Sequence, residues 1–141
     1  MDRSAVETLS CTHVDPLRDF LGLTDWRITT DHCSIAGDNT LMSVDVNRHS
    51  YQRALIAIDY RWIDTEEEYL DHLAHEMGHI LHADFYGVED TVKASIDPED
   101  ASTVRVIEHA MRHAAERFVL RFEWLWRNHL RERYLEQMTK P

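Results

Sequence analysis

The chain is short of cysteine, of basic charge, of long apolar runs and of helix-breaking residues. Its two cysteines, Cys11 and Cys33, are too few for the disulfide framework that staples small secreted domains. No run of about 18 apolar residues occurs, so no membrane-spanning helix is expected. The opening Met1-Asp2-Arg3-Ser4 lacks the apolar core of a signal peptide, which makes a cytoplasmic location the expectation. Lys and Arg total 15 against 26 Asp and Glu, a net charge of −11. Phosphate-bearing partners need a basic field, so neither nucleic acid nor an anionic membrane is expected as partner. Neither Gly nor Pro falls between Pro98 and Pro141, which allows one long helix over about 98–138. Val104, Ile107, Met111, Ala114, Phe118, Phe122 and Leu125 keep an apolar stripe along it.

What is present suits a single domain over 1–141, with 43% apolar and 29% charged residues. Residues 1–14 carry little pattern and read as a loose arm or a short helix. Asp15 and Pro16 mark the N-cap and first turn of a helix ending at Gly22. Trp26 to Thr30 reads as a strand, and Ser34 to Asn39 as a turn around Gly37-Asp38-Asn39. Leu41 to Val46 alternates with period two. It pairs with Ala54 to Asp59, the most continuous apolar run before residue 73 and hence the expected central strand. The link Asn47 to Arg53 has hairpin-loop length. Thr65 and Glu68 stand in capping-box spacing and start a helix running to Asp84 or Phe85. Gly87 to Ile96 reads as a loop, and Asp97-Pro98-Glu99-Asp100 as the next helix start. The expected class is α+β: a small, mainly antiparallel sheet of about three strands, packed on the helix after Thr65 and on a long C-terminal helix.

The chemistry concentrates in Leu73-Ala74-His75-Glu76-Met77-Gly78-His79-Ile80-Leu81-His82. His75 and His79 lie four apart on a helix, so both imidazoles face the same side and can reach one ion. Imidazole suits Zn²⁺, bound at about 2.0–2.1 Å per nitrogen. Glu76, roughly 100° round the helix from His75, can act as a general base without being a ligand. A catalytic zinc has three protein ligands and an open position, so a third must come from elsewhere. Glu108, beside the apolar stripe of the last helix, is the first choice; Glu116, Glu89, Asp84 and Glu99 are rivals. His72 and His82 extend the histidine stripe and flank the pair. His109 and His113, with Tyr60 and Tyr86, are weaker candidates for hydrogen bonding to an oxyanion.

Residues 26–116 resemble a minimal gluzincin-type zincin, similar to the small SprT-like and ImmA-like metallopeptidase domains of phages and bacteria. The resemblance rests on Trp26-Arg27-Ile28, on Ala54 to Asp59, on the H-E-x-x-H segment Leu73 to Leu81, and on a following helix bearing Glu108. It implies zinc held by His75 and His79, completed by a Glu on the following helix, with Glu76 as base. The metzincin pattern is excluded, because His82 and Phe85 stand where Gly and His are needed. Cys33 upstream of the motif is similar in placement to the metal-binding Cys of peptide deformylases. Asp31-His32-Cys33-Ser34-Ile35 does not reproduce their motif, and Gly78 replaces the Asp usual there.

The expected function is zinc-dependent hydrolysis of a peptide bond by a zinc-activated water with Glu76 as general base. An extended substrate would add to the Leu41 to Val46 edge. A deformylase-like amidase using Cys33 is a minor alternative. The competing class is a non-catalytic interaction protein of zincin fold. It is motivated by Val119 to Trp126, apolar nearly all round and suited to a second copy or another protein.

Overall fold

A computed structural model describes residues 1–33, 41–47, 52–83, 86–96 and 100–140. The chain opens with α1, Arg3–Phe20, so most of the stretch expected as an arm or short helix is one 18-residue helix. Its N-cap is Asp2, whose carboxylate accepts from the Ala5 N–H at 2.8 Å, and not Asp15. Pro16 lies inside the helix. The end matches expectation: Gly22, at φ +75°, follows the last turn. Gly22 N–H bonds Asp19 C=O at 3.1 Å and Leu23 N–H bonds Arg18 C=O at 2.9 Å, a Schellman closure.

Three strands follow: β1 (Arg27–His32), β2 (Met42–Asn47) and β3 (Arg53–Ile58), in the order β1-β3-β2. The run expected to be central is central. β2 is antiparallel to β3, but β1 is parallel to it, so the sheet is mixed where a mainly antiparallel one was expected. Strand order decides this, because β2 and β3 reverse as a neighbouring pair and β3 then lies alongside β1 in the same direction. The turn over 34–39 and most of the 47–53 link lie outside the described residues. Ile28, Met42, Ala54, Ile56 and Ile58 share the buried face, while Arg27, Thr29, Arg53 and Leu55 point the other way.

Helix α2, Glu66–His82, packs on that buried face through Tyr69, Leu70, Leu73, Met77 and Ile80. Its start keeps the expected cap: Glu68 N–H donates to Thr65 Oγ1 at 3.1 Å, while the returning Glu68 carboxylate accepts from Asp64 N–H, one residue before the cap, at 2.9 Å. The stretch expected as a loop after Gly87 is largely helical, α3, Tyr86–Ala94. The C-terminal helix is divided into α4 (Ala101–Leu125), one wide π turn (Trp126–Leu130) and α5 (Arg131–Met138). Asp100 caps α4 by accepting from Thr103 N–H at 3.1 Å; residues 97–99 of the expected start lie outside the described residues. Trp126 is wholly buried, its indole N–H donating to Asp71 at 2.9 Å, whereas Trp124 is 61% exposed. The apolar run before the π turn thus faces both ways. No helix among the described residues is long and apolar enough to cross a membrane.

Candidate functional site

The capping of α2 and burial of its Leu73, Met77 and Ile80 side fix its rotation. The turn holding His75, Glu76 and His79 then faces β2 and α4. A cleft of about 500 Å³ opens there, lined by Met42 to Val46 of β2, Glu76 and His79 of α2, and Arg112 and Glu116 of α4. Strand β2 is a sheet edge, as the cleft requires. Asp59 N–H bonds Leu41 C=O at 2.9 Å, which makes 41 and 59 a hydrogen-bonded pair of the antiparallel ladder. By alternation, Met42, Val44 and Val46 turn their N–H and C=O groups to the free edge. The Val44 N–H bonds the Glu76 carboxylate across the cleft.

Glu76 is buried, and burial pushes its carboxyl up to about 7. Nearby Glu116 adds to the rise, while His75 and the Val44 N–H oppose it. A carboxyl in this range both takes and returns a proton near neutrality. Burial also holds the His79 imidazole below its ordinary value; His75 and His82 act the same way and Glu116 opposes them. The acid of α4 that acts on both Glu76 and His79 is therefore Glu116.

The rings of His75 and His79 lie 5.2 Å apart at 69°. Two imidazoles sharing one tetrahedral ion at about 2.0–2.1 Å per nitrogen have centroids about 5 Å apart, so the separation fits. His75 Nδ1 lies 3.2 Å from Glu123 Oε2. A carboxylate accepts only, so Nδ1 carries the hydrogen and Nε2 is left for a ligand. Glu123 is itself held by Arg127 at 2.7 Å, and Arg127 also reaches Asp71 at 3.1 Å. Among the described residues no three His, Cys, Asp or Glu side chains are already gathered tightly enough to form a ready metal site. Glu116 is exposed and is the carboxylate of α4 that lines the cleft beside Glu76 and His79. The donor set of two imidazoles and a carboxylate suits zinc.

The other candidates fall elsewhere. Glu108 pairs with Lys93 at 2.9 Å, which holds its carboxyl below the usual range, and it does not line the cleft. It lies eight residues before Glu116 on α4, too far along the helix to share its position. His82 is buried with its ring 5.3 Å from Phe118, and His72 is half-buried, its imidazole lowered by burial. His109 and His113 are exposed, their ring centroids 6.4 Å apart and tilted at 44°. Tyr60 lies in the short turn after β3 and does not line the cleft. Asp84 and Glu99 lie outside the described residues, as do the side chains of Tyr86 and Glu89. Cys33 follows β1, on the edge of the sheet opposite the cleft, and burial pushes its thiol up.

Two residues were missed. Glu123 is a carboxylate between Phe122 and Trp124, an acid inside an apolar run, and it stands two turns from Glu116 on the same side of α4. Arg112 precedes Glu116 by one turn. Both signals were in the sequence once Glu116 was the reference point. Comparison with protein-family models, with curated proteins and with solved structures finds no match for this chain.

Proposed function

We propose that the chain is a zinc-dependent hydrolase of peptide bonds, with His75, His79 and Glu116 as metal ligands and Glu76 as general base. The observation that carries this reading is the buried Glu76 carboxylate beside the two histidines, in a cleft walled by the free edge of β2. When bound, zinc supplies Lewis acidity to the scissile carbonyl and to water. Glu76 takes the proton of the attacking water at its carboxylate and delivers it to the leaving amine. Glu123 fixes the His75 ring by accepting from Nδ1–H. The outward N–H and C=O groups of Met42 and Val46 pair with an extended substrate and set the scissile bond over Glu76. Glu108 has no part in this version of the site, because Lys93 occupies its carboxylate.

The test is Glu76→Gln against wild type, both zinc-loaded, on a peptide library. General-base assistance is worth about 10²–10⁴-fold, so cleavage should fall by that order while zinc content is unchanged. Equal cleavage by both proteins would remove Glu76 from the mechanism. The interaction-protein reading draws on Leu120 and Trp124, exposed on the outer side of α4. Silence of the wild type across the library would favour it.

A further inference from the structure

Arg112 is the only Lys or Arg among the described residues that line the cleft. It forms no ion pair among the described residues. The acid whose charge feels it, Glu108, gives its carboxylate to Lys93 at 2.9 Å. Glu116, one turn further on, is a metal ligand in the hydrolase reading and so is not free to pair with it. A guanidinium with no ion pair among the described residues therefore stands in a cleft whose described walls are a strand edge, Asp45, Glu76, His79 and Glu116. A guanidinium presents a planar fork of donors that matches a carboxylate. The protein carries a net charge of −11, so an anionic ligand is repelled wherever no local cation offsets the field.

We infer that Arg112 is a specificity-determining residue: it selects extended peptides that carry a carboxylate close to the scissile bond, from an acidic side chain or from a free C-terminus. Helix residues four apart lie about 5–6 Å from each other, and an extended peptide advances about 3.3 Å per residue. The carboxylate that Arg112 meets thus lies one or two residues from the bond held beside Glu116. The position of the scissile bond rests on the hydrolase reading; the carboxylate preference is read by binding alone, so the two fail separately.

The experiment captures peptides on the immobilised, zinc-loaded Glu76→Gln protein, which holds them uncleaved. The probe is a pool of random hexapeptides made both as C-terminal acids and as C-terminal amides, and the captured fraction is sequenced. An acidic side chain as the source gives about tenfold enrichment of Asp and Glu over Asn and Gln at one position, in both forms. A C-terminal source gives the same enrichment of acids over amides. In either case Arg112→Gln in the same protein should abolish the preference, and Arg112→Lys should keep part of it. Arg112 is exposed, so neither change is expected to disturb the fold. Equal capture of acidic and neutral peptides, or a preference that survives Arg112→Gln, overturns the assignment. Selective capture of acidic peptides that wild type never cleaves leaves Arg112 standing and sinks the hydrolase reading.

Discussion

His75, Glu76 and His79 were legible because their spacing is local: a helix alone puts them on one side. Which acid of α4 stands beside them was not, because it depends on how α4 slides along α2. The apolar stripe favours Glu108 over Glu116 on the helix itself, and only the packing puts Glu116 at the cleft and Glu108 at Lys93. Zinc affinity separates the two. In a chelator competition, Glu116→Gln should weaken binding by well over tenfold, and His75→Ala or His79→Ala should remove most of the metal. Loss of the hydrogen bond that orients His75, by Glu123→Ala, should cost about 10–100-fold. Glu108→Gln should leave affinity unchanged. A larger loss from Glu108→Gln than from Glu116→Gln would return the third position to Glu108.

At the scale of elements, Gly78 sets the distance between α2 and α4. A Cβ there would lie 2.9 Å from Phe122 Cδ1 and 3.4 Å from Val119 Cγ1. Both neighbours belong to the α4 segment between Glu116 and Glu123, so the close approach at Gly78 brings both acids to the histidines. Gly78→Ala gains about 1 kcal/mol of helix propensity but overpacks the contact by about 1–3 kcal/mol. The expected result is a net loss of up to about 2 kcal/mol in denaturant unfolding, together with weaker zinc binding. An unchanged zinc affinity would show that α4 is positioned by other contacts. Elements were read well where apolar spacing and capping agreed, as in α2 and β3. The stretch before Asp15 was not, because the buried side of α1 is Val6, Ser10, His13, Val14 and Leu17. Two of those five are polar, which dilutes the apolar period, and Asp15-Pro16 offers a stronger but false start signal. Strand direction in β1 was unreadable for another reason: the parallel partner is remote in sequence, and nothing local encodes it.

For the whole molecule, the two polar residues on that side explain how α1 is held. Ser10 Oγ lies 2.8 Å from the Tyr69 hydroxyl of α2 and 2.8 Å from His32 Nε2 of β1. His13 reaches the Tyr134 hydroxyl of α5 at 2.8 Å and Glu66 of α2 at 3.1 Å. Three elements, α2, β1 and α5, are thus tied to α1, and the buried Ser10, His13, Tyr69 and Tyr134 groups are satisfied only when α1 is docked. Burial pushes the Tyr69 phenol from 10.0 up to about 12, with the Ser10 hydrogen bond opposing the rise. The folded state therefore keeps its proton where the unfolded chain has already lost one. Stability from this group is fully present below pH 10 and is lost as pH rises from there through about 12. A shift of this size corresponds to about 2–3 kcal/mol across that window. Tyr69→Phe removes the ionising group and one hydrogen bond worth about 1 kcal/mol. The variant should be less stable at neutral pH but flatter above pH 10, so the two stability curves converge on the alkaline side. Parallel curves for wild type and Tyr69→Phe between pH 9 and 12 would mean that Tyr69 ionises freely in the folded protein, and that α1 is not sealed over it.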